Sequence, residues 1–166
     1  MMILITGGAA SGKSLYAEDL ICARCPNPTY IATMRPFGEE AHERIQRHRL
    51  QRAGRGFSTI ERFTDIGHAK ASGCALLEDV SNLLANEMFE VGFSGAAERT
   101  ANGILALNKR LELLVAVTNE IFSDGIKYPP ETEEYIKNLA EVNIALAAEA
   151  DKVIEIICGI PVFIKE

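Results

Sequence analysis

The sequence lacks the segments that would direct it into or across a membrane. Its longest apolar stretches, such as residues 113–117, fall far short of the roughly 20 residues that a membrane-spanning helix needs. Its N-terminus, Met-Met-Ile-Leu-Ile-Thr-Gly, has neither the basic segment nor the long apolar segment of a secretory signal peptide. We therefore expect no membrane span and a cytoplasmic location.

The sequence also lacks an excess of basic residues. Its net charge is −6, which argues against non-specific binding to nucleic acid, so we expect no nucleic-acid partner. No internal repeat or low-complexity tract is present. A chain of 166 residues that is 48% hydrophobic can bury one core of ordinary size, and we predict a single domain over residues 1–166.

Cysteines are few, and their spacing excludes the commonest zinc sites. Cys22 and Cys25 form a C-x-x-C pair, but Cys74 and Cys158 do not form the second close pair that such a site needs. The pair falls where the first helix is expected to end, before Pro26, whereas redox pairs favour a helix N-terminus. The sequence predicts free structural thiols at Cys22 and Cys25.

Short apolar runs alternate with helix-forming stretches along the chain. The pattern predicts strands at residues 3–6, 29–33, 74–77, 113–118, 152–157 and 162–165. It predicts helices at residues 14–24, 39–52, 81–89 and 131–150, and a surface loop or mobile region at residues 92–103. Because the last two strands are too close for a parallel crossover, we predict an α/β fold whose mostly parallel sheet ends in an antiparallel hairpin at one edge.

Residues 7–14 match the phosphate-binding pattern G-x-x-x-x-G-K-[ST] in full, between a predicted strand and a predicted helix. Glycines let backbone N–H groups approach phosphate oxygens, the lysine reaches the β- and γ-phosphates, and the serine can ligate Mg²⁺. The predicted nucleotide-binding residues of this P-loop are Gly7, Gly8, Ala9, Ala10, Ser11, Gly12, Lys13 and Ser14.

A magnesium ion in such a site usually needs an acidic residue at the end of a second strand. One apolar run ends at Glu78-Asp79 and another at Glu120, and either could instead be a solvated turn. Glu78 or Asp79 is the better candidate, with Ser14 as the second ligand.

Residues 43–55 carry five arginines and one glutamate in an otherwise acidic chain. As a helix, this segment would stack Glu40, Arg44, His48 and Arg52 on one face. A solvated, salt-bridged helix is one interpretation, and a helix that faces a bound triphosphate is the other. His48 is accordingly either an ordinary surface histidine or a neutral imidazole that attacks an α-phosphate.

Several further stretches occur in an order typical of one family. They are Ala17-Glu18, Tyr30-Ile31-Ala32-Thr33, Glu43-Arg44-Ile45-Gln46-Arg47-His48-Arg49, Thr59-Ile60-Glu61, Leu76-Leu77-Glu78, Val117-Thr118-Asn119-Glu120, Val142-Asn143 and Gly159-Ile160-Pro161. With the P-loop, they make the chain resemble the adenosylcobinamide kinase / adenosylcobinamide-phosphate guanylyltransferase family of cobalamin nucleotide-loop assembly. The resemblance covers most of the chain apart from residues 92–109.

The resemblance implies a P-loop enzyme that phosphorylates a corrinoid alcohol with ATP or GTP and then transfers GMP from GTP through a guanylylated histidine. That histidine matches His48, so the implied catalytic residues are His48 and Lys13. Members of the family assemble as trimers. The nucleotide contacts that the resemblance adds to the loop are Thr33, Met34, Arg35, Arg49, Arg52, Glu61 and Glu78.

The chain departs from the family pattern at several positions. Ala10 stands where the family usually has arginine, and Ile136-Lys137 stand where it has Arg-Asp. Two other functions therefore stay open at this point. One is a small-molecule kinase with a different acceptor, and the other is a nucleotide-binding protein without catalytic activity.

Overall fold

Strands and helices alternate along the chain as the apolar runs predict. The computed structural model describes the backbone of residues 1–166 and all side chains except those of Glu40, Ala41, Arg44 and Gln51. The strands are β1 (Met2–Thr6), β2 (Thr29–Ala32), β3 (Ser58–Glu61), β4 (Cys74–Glu78), β5 (Leu113–Val117), β6 (Lys152–Ile157) and β7 (Ile160–Lys165). The helices are α1 (Lys13–Cys22), α2 (Gly38–Arg52), α3 (Val80–Asn86), α4 (Ala96–Asn108) and α5 (Pro130–Glu149), with a 3₁₀ turn at Ile66–His68 and a π-helical turn at Glu87–Val91.

All seven strands form one sheet in the order β3-β2-β4-β5-β1-β6-β7. The first six are parallel, and β7 pairs antiparallel with β6 at the edge, which confirms the predicted fold class. In register, Val117 lies between Ile5 of β1 and Glu78 of β4. The carboxyl ends of β1, β4 and β5 therefore meet at one edge of the sheet, the usual position of a ligand site in such folds.

The two faces of the sheet bury separate apolar clusters. In β1, Met2 and Leu4 face α3, α4 and α5, whereas Ile3 and Ile5 face α1. The side chain of Ile21, on α1, is fully buried against the second face. Among the described residues, no helix is both long enough and apolar enough to cross a bilayer.

The predicted loop at residues 92–103 is wrong, because most of it belongs to α4. The buried side of this helix recurs every three or four residues, through Ala97, Thr100, Ala101, Ile104 and Leu107. Three of these side chains are small or polar, so the helical period carries little hydrophobic contrast in the sequence. Gly103 packs against the 3₁₀ turn, where an added Cβ would lie 2.9 Å from Ile66 Cγ2.

The prediction of free thiols is wrong for Cys25 and holds for Cys22. Cys25 forms a disulfide with Cys74, with their Cα atoms 6.4 Å apart, and Cys22 is a free thiol. The bond joins the end of α1 to the start of β4 across 49 residues. A local C-x-x-C pattern does not reveal such a partner.

Candidate active site

The P-loop runs from the end of β1 to the start of α1. Gly7 and Gly12 have φ values of 157° and 92°, and a Cβ on Gly7 would lie 2.7 Å from the carbonyl oxygen of Ile156. The turn between β6 and β7 supports the loop, since the Gly159 amide donates a hydrogen bond to the Ser11 carbonyl at 2.9 Å. A side chain at Gly7 would collide with β6, and a side chain at Gly12 would be strained by the positive φ.

Helix α1 begins directly after the loop and directs its first amides at the space that the loop encloses. Its N-cap is Gly12, which provides no capping side chain. Lys13 is buried, and its Nζ donates to the Gly8 carbonyl at 3.0 Å. The first amides of a helix together with a buried ammonium make a site for phosphate groups.

Ser14 and Glu78 meet across the sheet. The Ser14 hydroxyl donates to Glu78 Oε1 at 2.6 Å, while the buried Oε2 has no hydrogen-bond partner. Burial, with a smaller contribution from the neighbouring Asp79 carboxylate, raises the pKa of Glu78 to about 8. A buried carboxylate with an unsatisfied oxygen beside a serine hydroxyl fits a hard divalent cation that takes its other ligands from phosphates.

Glu78 has different hydrogen-bond partners from Asp79 and Glu120, the two other candidates for a magnesium ligand. Asp79 caps α3, because its Oδ1 accepts from the Asn82 amide at 2.7 Å. Glu120 caps its own turn, accepting from the Phe122 amide at 3.0 Å. Of the three carboxylates, only that of Glu78 contacts the P-loop serine.

A cavity of about 460 Å³ connects the P-loop with α2. The predicted site residues that line it are Ala9, Ala10, Lys13, Ser14, Met34, His48, Arg49, Arg52, Glu61 and Glu78. The sequence analysis did not assign a role to several others, namely Tyr30, Ala32, Ile45, Arg47, Thr59, Asn82, Asn119 and Ile121. Asn119 is the second residue after β5, and this position near a strand end is the signal that could have identified it.

The wall formed by α2 presents one face to the cavity, with Ile45, His48, Arg49 and Arg52 at helical spacing. The predicted face also included Glu40 and Arg44, which lie outside the described side chains. His48 is half-buried, and its Nδ1 is 3.4 Å from the Tyr30 hydroxyl. Burial raises the pKa of Tyr30, so this hydroxyl stays neutral at physiological pH.

Arg52 lies at the end of α2 with its guanidinium stacked on the Tyr30 ring, 3.4 Å from the ring centroid. It is only 7% exposed, and its buried Nε and Nη1 have no hydrogen-bond partner. Buried donors of this kind are costly unless an acceptor satisfies them. An anionic ligand in the cavity would be such an acceptor.

The other arginines of the basic segment are partly neutralised within the chain. Arg49 pairs with Glu61 at 3.3 Å, and Arg55 pairs with Asp19 of α1 at 2.8 Å. An external anion is therefore not needed to neutralise every arginine of this segment. Arg52 is the one whose described donors best support it.

Two predicted nucleotide contacts lie outside the lining of the cavity. Thr33 is buried, and its hydroxyl accepts from the Asp79 amide at 2.7 Å. Arg35 pairs with Glu90 and stacks on Phe63. Four further predicted contacts, in the loop itself, also lie outside the lining and shape the loop through their backbone, namely Gly7, Gly8, Ser11 and Gly12.

Of the departures at Ala10, Ile136 and Lys137, that at Ala10 borders the cavity. It has a φ of 55°, an uncommon conformation for a residue other than glycine. Ile136 and Lys137 lie on α5, where Lys137 is exposed and lies 3.9 Å from Glu141.

The fold and the loop define a nucleotide-binding protein of the P-loop class with a basic helix across from its phosphate site. The family described as cobinamide kinase / cobinamide phosphate guanyltransferase matches residues 3–164. The chain belongs to this family.

Curated relatives span the whole chain. It is 33% identical to the bifunctional adenosylcobalamin biosynthesis protein CobU of Salmonella typhimurium and 34% identical to CobU of Escherichia coli. Both alignments cover 99% of this chain and 100% of the relative. The bifunctional adenosylcobalamin biosynthesis protein CobP of Pseudomonas aeruginosa is 27% identical over 99% of this chain and 98% of its own length.

Solved structures resemble the fold at low sequence identity. The flagellar accessory protein FlaH from Methanocaldococcus jannaschii aligns over 99% of this chain and 77% of its own, with a TM-score of 0.50 and 13% identity. A protein from Pyrococcus horikoshii OT3 aligns over 99% of this chain and 86% of its own, with a TM-score of 0.51 and 11% identity. These similarities concern the fold alone.

Proposed function

We propose that this chain phosphorylates adenosylcobinamide and then transfers GMP from GTP to the product, with His48 as the carrier of the GMP group. The observation that carries the proposal is the single cavity that brings His48 and Arg52 to the P-loop. A triphosphate on the loop would extend toward both residues. Family membership supports the two activities, and the shared cavity supports the assignment of His48 and Arg52 to the second one.

The kinase step uses the side of the cavity formed by the sheet. The acceptor hydroxyl oxygen bonds to the γ-phosphorus, the bond from that phosphorus to the bridging oxygen breaks, and the nucleoside diphosphate leaves. Lys13 positions the phosphates and offsets their charge. Ser14 and Glu78 would hold Mg²⁺, which contributes further charge neutralisation when bound. ATP and GTP carry the same triphosphate, which is the part that the loop would bind.

The transfer step uses the side formed by α2. In the tautomer whose Nδ1–H donates to the Tyr30 hydroxyl, Nε2 of His48 carries the lone pair. Nε2 bonds to the α-phosphorus and pyrophosphate leaves. The phosphate of the corrinoid product then bonds to that phosphorus, and the bond to Nε2 breaks. Arg52 can donate to the phosphoryl oxygens, on which charge develops in both displacements.

The proposal is tested by detecting the covalent GMP–histidine intermediate. Incubation with GTP labelled at the α-phosphate should leave an acid-labile, alkali-stable label on the protein, which adenosylcobinamide phosphate then removes. His48→Ala should remain unlabelled. His42→Ala is the matched control, because His42 is exposed on the same helix and does not line the cavity. A labelled His48→Ala protein, or an unlabelled wild type, would contradict the proposal.

We further propose that the chain forms a single domain, lies in the cytoplasm and assembles as a trimer, and that Thr33 and Arg35 also contact the nucleotide. Sedimentation of the purified protein tests the trimer, and a monomer at working concentration would contradict it.

A further inference from the structure

Glu18 is a buried acidic residue that neither activity explains. It lies on α1 and is 1% exposed, and neither carboxylate oxygen has a hydrogen-bond partner. Burying a carboxylate without compensation is expensive, and a glutamate at this position is not needed to fill an apolar core. Its charge therefore requires a partner.

Arg52, the last residue of α2, and Arg55, in the turn that follows, supply the opposite charge. Arg55 Nη1 lies 3.6 Å from Glu18 Oε2, and the same guanidinium bonds to the exposed Asp19. Burial raises the pKa of Glu18, whereas Arg52 and then Arg55 act to lower it. Two acids of α1 thus lie near two arginines at and just beyond the end of α2.

Two other described side chains near the end of α2 are exposed. Leu50 is 77% exposed, and the pair between Arg49 and Glu61 is open to solvent. Exposed pairs contribute little to holding an element in place. Among these described side chains, Arg52 is the buried one, and it lies against the Tyr30 ring and in the field of Glu18.

The interaction with Glu18 does not use the Nε and Nη1 donors of Arg52. Glu18 balances the arginine's charge without a hydrogen bond to Nε or Nη1, so these donors remain available to a ligand. His48 lies one helical turn before Arg52 on the same face of α2. Whatever fixes Arg52 also fixes His48.

We propose that Glu18 is a positioning residue for nucleotidyl transfer, which holds Arg52 and the last turn of α2 so that His48 faces the α-phosphate. The inference rests on the function proposed above. It predicts that Glu18 matters for the step at His48 and not for phosphoryl transfer at the P-loop.

The experiment compares Glu18→Gln with Asp19→Asn. Both changes remove one carboxylate that faces Arg55, but only Glu18 is buried. We expect Glu18→Gln to slow single-turnover labelling by GTP between about tenfold and a hundredfold, since a displacement of about 1 Å has an effect of that order. Kinase turnover in the same preparation should stay within about twofold of wild type. Asp19→Asn should leave both rates unchanged.

If Glu18→Gln does not fold, Glu18→Asp can be tested in its place. Glu18→Asp retains the charge with a shorter reach, so its labelling rate should lie below wild type with unchanged kinase turnover. Normal labelling in whichever variant folds, or a parallel loss of both activities, would overturn the inference. Absence of label in the wild type, or label in His48→Ala, would instead show that the proposed function had failed.

Discussion

The two sides of the cavity are built in different ways. The P-loop and Glu78 belong to the sheet and its buried helix α1, where Lys13 and Glu78 are each 8% exposed. Helix α2, which carries His48, is mostly exposed and contacts the sheet side through a few polar and aromatic groups. The predicted triphosphate site is thus part of the core, whereas the candidate nucleophile lies on a helix whose described side chains are mostly exposed.

The largest expected effect comes from removing the lysine that both activities share. Lys13→Met should lower kinase turnover and His48 labelling together by about 10²–10³-fold, because it removes a preorganised positive charge from the phosphates. Steady-state kinetics and labelling of one preparation measure both. Lys109→Met, an exposed lysine, is the control. Loss of only one activity would show that the two steps do not share the P-loop.

The two sides should also differ in their contribution to stability. Ile21→Ala removes a fully buried side chain from α1 and should lower the free energy of unfolding by about 2–5 kcal/mol. Leu50→Ala on α2 removes an exposed side chain and should change it by less than about 0.5 kcal/mol. Urea unfolding monitored by circular dichroism measures both. Equal losses would mean that α2 is packed as firmly as α1.

The pH dependence of stability tests the burial of Glu78. Its ordinary pKa is 4.5 and burial raises it to about 8, so the folded ligand-free protein binds an extra proton between these values. The stabilisation of the neutral form is complete below about pH 4.5 and is lost as the pH rises through about 8.

Urea titrations of Glu78→Gln at several pH values measure this effect. Wild type should lose stability relative to Glu78→Gln between pH 5 and 9, because the glutamine carries no charge. The exposed Glu149→Gln is the control and should track wild type. Parallel curves for wild type and Glu78→Gln would show that the carboxyl group titrates normally.

The smallest expected effect concerns the exposed pair between α2 and β3. Arg49→Ala should change the free energy of unfolding by less than about 1 kcal/mol, since both side chains are more than half exposed. A double-mutant cycle with Glu61→Ala isolates the pair. A coupling energy well above that limit would mean that this pair, rather than Arg52, anchors α2.

Much of the fold could be predicted from the sequence because its strands are buried on both faces. Leu113–Val117 and Met2–Thr6 are continuous apolar runs, and such runs stand out between helical stretches. The edge strand Ser58–Glu61 was missed because its side chains are mostly exposed and give no such run. Helix α4 was missed because alanine and threonine cover much of its buried side.

The site was predictable where a short motif carries the chemistry. The spacing of residues 7–14 predicts a phosphate loop, and the end of a buried strand predicts Glu78 or Asp79 as the acidic residue. Residues that act through tertiary packing gave no such signal. Glu18 reads as an ordinary helix charge and Tyr30 as a strand aromatic until the fold brings both to Arg52.

We propose that phosphoryl transfer depends on the sheet side of the cavity and nucleotidyl transfer on α2. Kinase turnover of His48→Ala with adenosylcobinamide, in protein already found not to take label from GTP, separates the two sides. We expect turnover within about twofold of wild type, because His48 contributes no group to the phosphates at Lys13, Ser14 and Glu78. A loss of kinase turnover that matches the loss of label, in protein with an unchanged melting temperature, would contradict the claim.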